Sequence, residues 1–419
     1  MRVLIIGSGA REHAIAWKLK QSPRIELLQV APGNGGTDLI AGNLDIKPND
    51  FDALVVAAHH MDLVIVGPEE PLARGIVDRF ERERIPIFGP TQAAAEIESS
   101  KVFAKALMEK YGIPTAEGCV FSNYRDARAY IERQETPLVI KADGLAAGKG
   151  VVVAQSTQEA FGALYKIMVE RAYGAAGERI IVEEFLEGRE VSLMAFTDGI
   201  TVAPMLPVCD YKRAHDFDQG PNTGGMGSYC PPSFFTPQMM EEARMRVLEP
   251  AVKGLAAEGR PFQGVLYAGL MITSQGLKVL EFNCRFGDPE TQVVLPLLET
   301  DLALVLRSVY MQTLDQVKVE WSKDASVGVV MASQGYPESY ATGFPISGLD
   351  SLDNGVEAFH AGTGQASGVW LTSGGRVVTV VARGENMAAA REKVYRNVPR
   401  VRFQGAHYRK DIAAREVAA

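Results

Sequence analysis

Over residues 1–100 the hydrophobic positions come in short unbroken runs separated by stretches of helical spacing. Arg2–Ile6, Leu27–Val30, Asp62–Val66 and Ile85–Phe88 read as strands. Arg11–Lys20, spaced through Ala14, Trp17 and Leu19, and Arg74–Arg84 read as helices. Apolar strands alternating with helices predict a parallel, doubly wound sheet that ends near Pro90. Beyond it the pattern changes. A helix at Ser100–Tyr111 leads to strands at Pro137–Lys141 and Val151–Ala154 around a glycine-rich segment, then to strands at Ile180–Glu183 and Glu190–Thr197. A polar loop, Asp210–Gly227, and a long helix, about Pro237–Ala257, precede Gly264–Thr273 and Leu277–Phe282, which Ser274-Gln275-Gly276 joins as a hairpin. This is an antiparallel, α+β pattern. Strands near Ser326–Ala332 and Arg376–Ala382, with a helix at Met387–Val398, predict a third, small α+β domain.

Composition narrows the partners. The 419 residues are 47% hydrophobic and 22% charged with a net charge of −8, the make-up of a soluble, multidomain globular protein. An acidic chain with scattered basic residues argues against nucleic acid. No apolar run is long enough to span a membrane, and Val3–Ile6 is too short for a secretory signal. Cys119, Cys209, Cys230 and Cys284 show no CxxC spacing and the six histidines are dispersed. Structural zinc is therefore not expected, and a cytoplasmic, reducing setting is. The 41 glycines cluster at 7–9, 33–36, 144–150, 220–227 and 362–375, which marks turns and close backbone approaches.

Four stretches carry candidate chemistry. Gly7-Ser8-Gly9-Ala10-Arg11-Glu12 follows a strand and opens a helix, as a dinucleotide fingerprint would. Yet Glu12 stands at the third glycine position and no acid closes the second strand, so an NAD site is excluded while the helix N-terminus can still hold a phosphate. His13 reads as a satisfied helix residue. Gly144–Gly150 lacks Walker A spacing and lies between two strands, which suits a flexible hairpin folding over a triphosphate with Lys149, while Lys141 ends the preceding strand. A solvated surface hairpin is the competing reading. Glu183 to Glu190 places an apolar strand before a charged connection, where a backbone can read adenine and a carboxylate can hold ribose; a solvated charged face is equally compatible. Glu281 and Asn283, two apart on a strand, share a face and offer hard oxygen ligands for Mg²⁺ or Mn²⁺, with Arg285 continuing that face.

Together these pieces resemble the ATP-grasp superfamily and, within it, the phosphoribosylamine–glycine ligase family. Further matching segments are Ala31-Pro32-Gly33-Asn34, Val66-Gly67-Pro68-Glu69, Gly220–Gly227, His360-Ala361-Gly362-Thr363 and Arg409-Lys410-Asp411-Ile412, so the likeness spans the chain. The resemblance implies a Rossmann-like domain over 1–100, an ATP-grasp domain over 101–324 with a nucleotide lid at about 121–190, and an α+β domain over 325–419. It implies ligation of glycine to 5-phosphoribosylamine with ATP and Mg²⁺ or Mn²⁺, by a protein expected to be a monomer. Lys101, Lys141, Gly144, Gly148, Lys149, Gly150, Glu183, Leu186 and Glu190 are then the nucleotide contacts and Glu281 and Asn283 the metal ligands. Arg285 and Lys141 are the catalytic cations, and Gly9, Asn222, Thr223, Gly224 and Asp288 the substrate contacts. Two departures stand out. Gly264–Thr273 has no acid, which argues against a second metal held wholly by protein, and Tyr211-Lys212-Arg213 stands where the family has His-Lys-Arg. Another ATP-grasp ligase or carboxylase, and a nucleotide-binding regulator without catalysis, are the alternatives.

Overall fold

The computed structural model describes residues 1–145 and 150–418. Its N-terminal sheet runs Gly42–Asn43, Leu27–Pro32, Arg2–Gly7, Leu63–Val66 and Ile87–Phe88 in spatial order, every pair parallel. Val3 and Ile5 face one apolar core while Leu4 and Ile6 face another, all with no accessible surface. Burial on both sides is why this strand shows no polar alternation, and each such side chain contributes roughly 1.5–3 kcal/mol. The strand order reverses between Arg2–Gly7 and Leu63–Val66, which opens a crevice at their carboxyl ends. The expected helix Arg74–Arg84 is present as Ile76–Arg82, and a further short helix, Glu69–Ala73, precedes it. Between them Gly75 takes a φ of 83°, a left-handed turn that costs glycine little.

Two antiparallel sheets follow. Gly118–Phe121, Ile180–Glu184, Leu138–Ala142 and Val151–Ala154 form a lid with the helices Tyr124–Ile131 and Thr157–Met168. Val202–Pro204, Arg189–Asp198, Gln263–Thr273 and Gly276–Asn283 form the larger sheet. The helix expected at Pro237–Ala257 is continuous but widens into a π turn at Arg244–Leu248. Pro250 has no N–H for the Arg246 carbonyl one turn back, which accounts for the widening.

The last strand of the larger sheet breaks its own alternation. Leu277, Val279 and Phe282 are buried, whereas unbroken alternation from Leu277 would bury Glu281 and Asn283 instead. The register slips by one residue at Gly269/Leu270, so that Gly269 faces Glu281 and Leu270 faces Val279. Leu280 is the extra residue of a β-bulge, and it switches Glu281 and Asn283 to the open face.

The stretch Asp210–Gly227, expected as a loop, contains ordered strands. Cys209–Asp210 and Gly227–Cys230 join Ala325–Ala332, Arg376–Gly384 and Val356–His360 in one sheet, and Arg213–His215 pairs with Gln219–Asn222. These strands are too short and glycine-rich to declare themselves; tertiary pairing makes them. The two large apolar cores run through the N-terminal sheet, the larger central sheet and the C-terminal sheet alike, while the lid packs on a small core of its own around Ile140, Leu164 and Val182.

That separation generates a test. Leu164→Ala, deep in the lid core, is expected to cost about 2–5 kcal/mol of lid stability. Amide exchange should quicken across 118–184 and stay unchanged at Leu4 and Val327. Uniform quickening throughout the chain would show that the lid is not an independent unit.

Candidate active site

The lid meets the larger sheet through the connection Phe185–Gly188, and the polar groups converge on the cleft between them. Lys141, near the end of a lid strand, donates to the Leu280 carbonyl (2.9 Å) that the bulge exposes and pairs with Glu183 (2.6 Å). Glu183 is buried and also takes Lys105 (3.1 Å). Its carboxylate is thus spent on two lysines and orients Lys141, while Leu186 is buried in the hinge beside it. Lys101, in the first turn of the helix Lys101–Lys110, donates to the Gly144 carbonyl (2.9 Å). Gly150, across the hairpin, is buried and its carbonyl accepts from Ala142 (2.8 Å). Gly148 and Lys149 lie outside the described residues.

Glu281 is surrounded by cations. Burial alone would raise its pKa, but Lys212, Lys101, Lys141 and Arg285 outweigh burial and hold the carboxyl below its usual range. Across the sheet from it stands Gly269, so no second acid comes from that strand, and among the described residues no cluster of three or more His, Cys, Asp or Glu could hold a metal. An ionised carboxylate and an amide oxygen on one face fit a Mg²⁺- or Mn²⁺-type cation that takes its remaining ligands from phosphate and water.

Lys212, in the departing segment Tyr211-Lys212-Arg213, carries no mark of a site residue in the sequence. It pairs with Glu190, the carboxylate assigned to ribose. Burial works to lower its pKa, but Glu190, Asp210 and Glu281 reverse the direction and lift it well above normal. Asp210, with its carboxyl among Glu290, Glu190 and Glu281, is pushed up to about 8, chiefly by burial.

Arg285 points less simply than alternation suggested. Its guanidinium is held by Glu69 (3.2 Å) and Glu98 (3.2 Å), both from the N-terminal region, and it donates to Asn283 Oδ1 at 3.4 Å and the Phe286 carbonyl at 3.2 Å. The strand stops at Asn283, so the chain turns and carries Arg285 toward the crevice of the first sheet. Glu69 belonged to a recognised motif without a role; Glu98 carried no signal at all.

That crevice is the second half of the site. Glu12, at the third glycine position, turns back on its own helix: its carboxylate accepts the Gly9 N–H (2.5 Å) and pairs with Arg11 (2.6 Å). It fills the space between the turns at Gly7 and Gly67, where any side chain at Gly67 would collide with it. The Gly9 amide is therefore already satisfied by the protein. Asp288 faces Gly9, a side chain at which would stand 3.4 Å from Asp288 Oδ2. Arg376, from the C-terminal sheet, pairs with Asp288 (2.9 Å) and donates to the Gly224 carbonyl (2.6 Å). Gly9, Asp288 and Gly224 are so brought together. Asn222 is not: it lies exposed at the end of its hairpin, and Thr223 folds back on the Lys212 carbonyl (2.9 Å). His13 is a satisfied residue as read: its Nδ1 accepts from the His360 N–H (2.8 Å), and burial lowers its pKa to about 3.

The raised Asp210 carboxyl has a consequence for stability. Its folded pKa of about 8 lies above the unfolded value, so the unfolded chain binds fewer protons between these pH values and stability falls as pH rises through that window. Asp210→Asn should therefore raise the melting temperature of the unliganded protein by an amount that grows from pH 4 to pH 8 and then levels. A gain independent of pH in calorimetry would refute the assignment.

Comparison with known proteins agrees along the whole chain. Residues 1–98, 99–291 and 326–415 match the N, ATP-grasp (A) and C domains of phosphoribosylglycinamide synthetase. The phosphoribosylamine–glycine ligase of Halalkalibacterium halodurans is 49% identical over all of this chain and 98% of its own length, and that of Vibrio vulnificus is 46% identical over all of this chain and 99% of its own. The crystal structure of the Thermotoga maritima phosphoribosylamine–glycine ligase superposes with a TM-score of 0.87 at 34% identity, covering 99% of this chain and 100% of that one. With its three domains matched in order and its full length shared with these relatives, the chain belongs to the phosphoribosylamine–glycine ligase family.

Proposed function

We propose that this chain ligates glycine to 5-phosphoribosylamine at the cost of ATP, giving glycinamide ribonucleotide, ADP and phosphate, a step of purine synthesis. The observation that carries the reading is one continuous set of facing charges, in which Arg285 acts on both Glu281 and Asp288. At its lid end Lys101, Lys141 and Lys212 surround Glu281, and at its other end Asp288, Arg376 and Gly224 face the first sheet's crevice. A triphosphate and a carboxylate repel each other, and three ammonium groups with a pair of hard ligands are what such a reaction needs at its phosphate end.

In this reading the ATP base lies on the hinge at Leu186, with the ribose at Glu190 and the phosphates among Lys101, Lys141 and Lys212. Glu281 and Asn283 would hold Mg²⁺ or Mn²⁺, which when bound neutralises phosphate charge. The glycine carboxylate attacks the γ-phosphorus, the bond to the β,γ-bridging oxygen breaks, and ADP leaves. Lys101, Lys141 and Lys212 offset the charge of the transferring group. The amine of the sugar then attacks the carbonyl carbon of glycyl phosphate, inorganic phosphate leaves, and the amine gives up a proton. Arg285, clamped by Glu69 and Glu98, is pre-set to stabilise the oxyanion of that second step. Lid closure keeps water from the acyl phosphate. Among the described residues no helix is long and apolar enough to cross a membrane. The four free cysteines support a cytoplasmic protein, which we take to work as a monomer.

ADP formation with ATP and Mg²⁺ should require glycine and freshly generated phosphoribosylamine together; turnover with bicarbonate or formate in place of glycine would overturn the acceptor assignment. Asn283→Ala should lower kcat on the order of 10²-fold, and near-parental kcat at limiting Mg²⁺ would remove Asn283 from the metal. Arg285→Lys cannot keep a planar fork between two carboxylates. It should slow ligation while ATP affinity holds, whereas equal losses in both would make Arg285 a nucleotide contact.

A further inference from the structure

The segment Arg409-Lys410-Asp411-Ile412 matched the family pattern but has no part in the mechanism above, and it lies against the strands that carry Lys212. Arg409 is fully buried. Its guanidinium donates to both oxygens of Asp411 (2.8 and 2.6 Å) and to the Arg213 carbonyl (3.1 Å), pairs with Asp218 (3.0 Å), and stacks 4.6 Å over the Tyr211 ring. The neighbours of Arg409 hold the rest of the same turn. Asp411 accepts the Phe217 N–H (2.9 Å), the Lys410 N–H donates to Asp216 (2.7 Å), the Ala413 N–H donates to the Tyr211 hydroxyl (3.0 Å), and the His407 ring meets the Ala214 carbonyl (2.7 Å). From Tyr211 to Asp218, only Lys212 and His215 escape a hydrogen bond or ion pair from residues 407–413 among the described contacts.

The turn needs this restraint. Phe217 and Asp218 both sit in the left-handed region, at φ of 58° and 57°, and Phe217 is 75% exposed, so nothing in its own side chain pays for the conformation. Backbone of this kind persists only where its surroundings fix it. Lys212, one residue past the stacked Tyr211, projects instead into the cleft toward Glu190 and Glu281.

We propose that Arg409 is a positioning residue for ligation: by gripping Tyr211, Arg213 and Asp218 it sets the backbone from which Lys212 reaches the transferring phosphate. The inference rests on the phosphate role given to Lys212 above. The C-terminal domain thereby acts on the phosphate end of the cleft as well as on the acceptor end.

The test is a double-mutant cycle on the full chain, with kcat and KM for ATP and for glycine measured separately. Arg409→Lys should lower kcat/KM for ATP on the order of 10²-fold, as expected when a charged group is misplaced by about an ångström, with KM for glycine unchanged. Lys212→Met should do the same, and Arg409→Lys combined with Lys212→Met should be no worse than Lys212→Met alone. Losses that multiply in the double variant, or parental kinetics for Arg409→Lys, would overturn the positioning role while leaving Lys212 in place. Parental turnover of Lys212→Met would overturn the phosphate assignment and the inference with it. If Arg409→Lys does not fold, Asp218→Asn, whose carboxylate is partly exposed, loosens the same grip and enters the same cycle with the same two readings.

Discussion

The extra residue at Leu280 decides where Glu281 and Asn283, the proposed metal ligands, point. Strand Gly276–Asn283 buries Leu277 and Val279 on one face, and simple alternation would send Glu281 and Asn283 after them into the core. The one-residue slip opposite Gly269 reverses that phase, placing both oxygen ligands in the cleft and leaving the Leu280 carbonyl for Lys141. A β-bulge of this kind re-aims side chains at the expense of local pairing. Here it also links the lid to the larger sheet, because the lysine that meets the bulge comes from the lid.

Around that pair the charges are arranged in opposition. Lys101, Lys141 and Lys212 lie about Glu281, and before a nucleotide arrives their mutual repulsion is met by Glu281 itself, by Glu183 on Lys141 and by Glu190 on Lys212. A polyanion entering the cleft therefore replaces internal partners without leaving any cation bare, which is the condition for binding charge in a partly dehydrated place. Arg285 stands under the same rule from the other side. Glu69 and Glu98 hold its guanidinium on a frame drawn from the N-terminal sheet, so its direction is set before any substrate is present.

The domains divide this work unequally. The lid has its own small core and hangs on the connection Phe185–Gly188, whereas the first sheet, the larger central sheet and the C-terminal sheet share continuous apolar cores. Gly9, Asp288, Gly224 and Arg376, the proposed acceptor contacts, thus all belong to the body with the shared cores and none to the lid. The C-terminal domain is less separate than its sequence suggests, since Cys209–Asp210 and Gly227–Cys230 complete its sheet and Arg376 reaches back to Asp288.

By itself the sequence determined what is local. Unbroken apolar runs specify buried parallel strands, Ser274-Gln275-Gly276 specifies a hairpin, and Glu281-Phe282-Asn283 places two ligands on one face whichever face that is. These follow from side-chain period and turn chemistry within a few residues. Tertiary structure decided what depends on partners far along the chain. It chose the face of Glu281 through a bulge, made strands of the polar segment Asp210–Gly227, and gave Glu183 to Lys105 and Lys141. It also brought Glu69, Glu98, Arg376 and Arg409 to residues far along the chain, 216 positions in the case of Glu69 and Arg285. A lone charged residue carries no mark of its counter-charge, because Coulomb attraction depends on distance in space, and only the packed cores fix that distance.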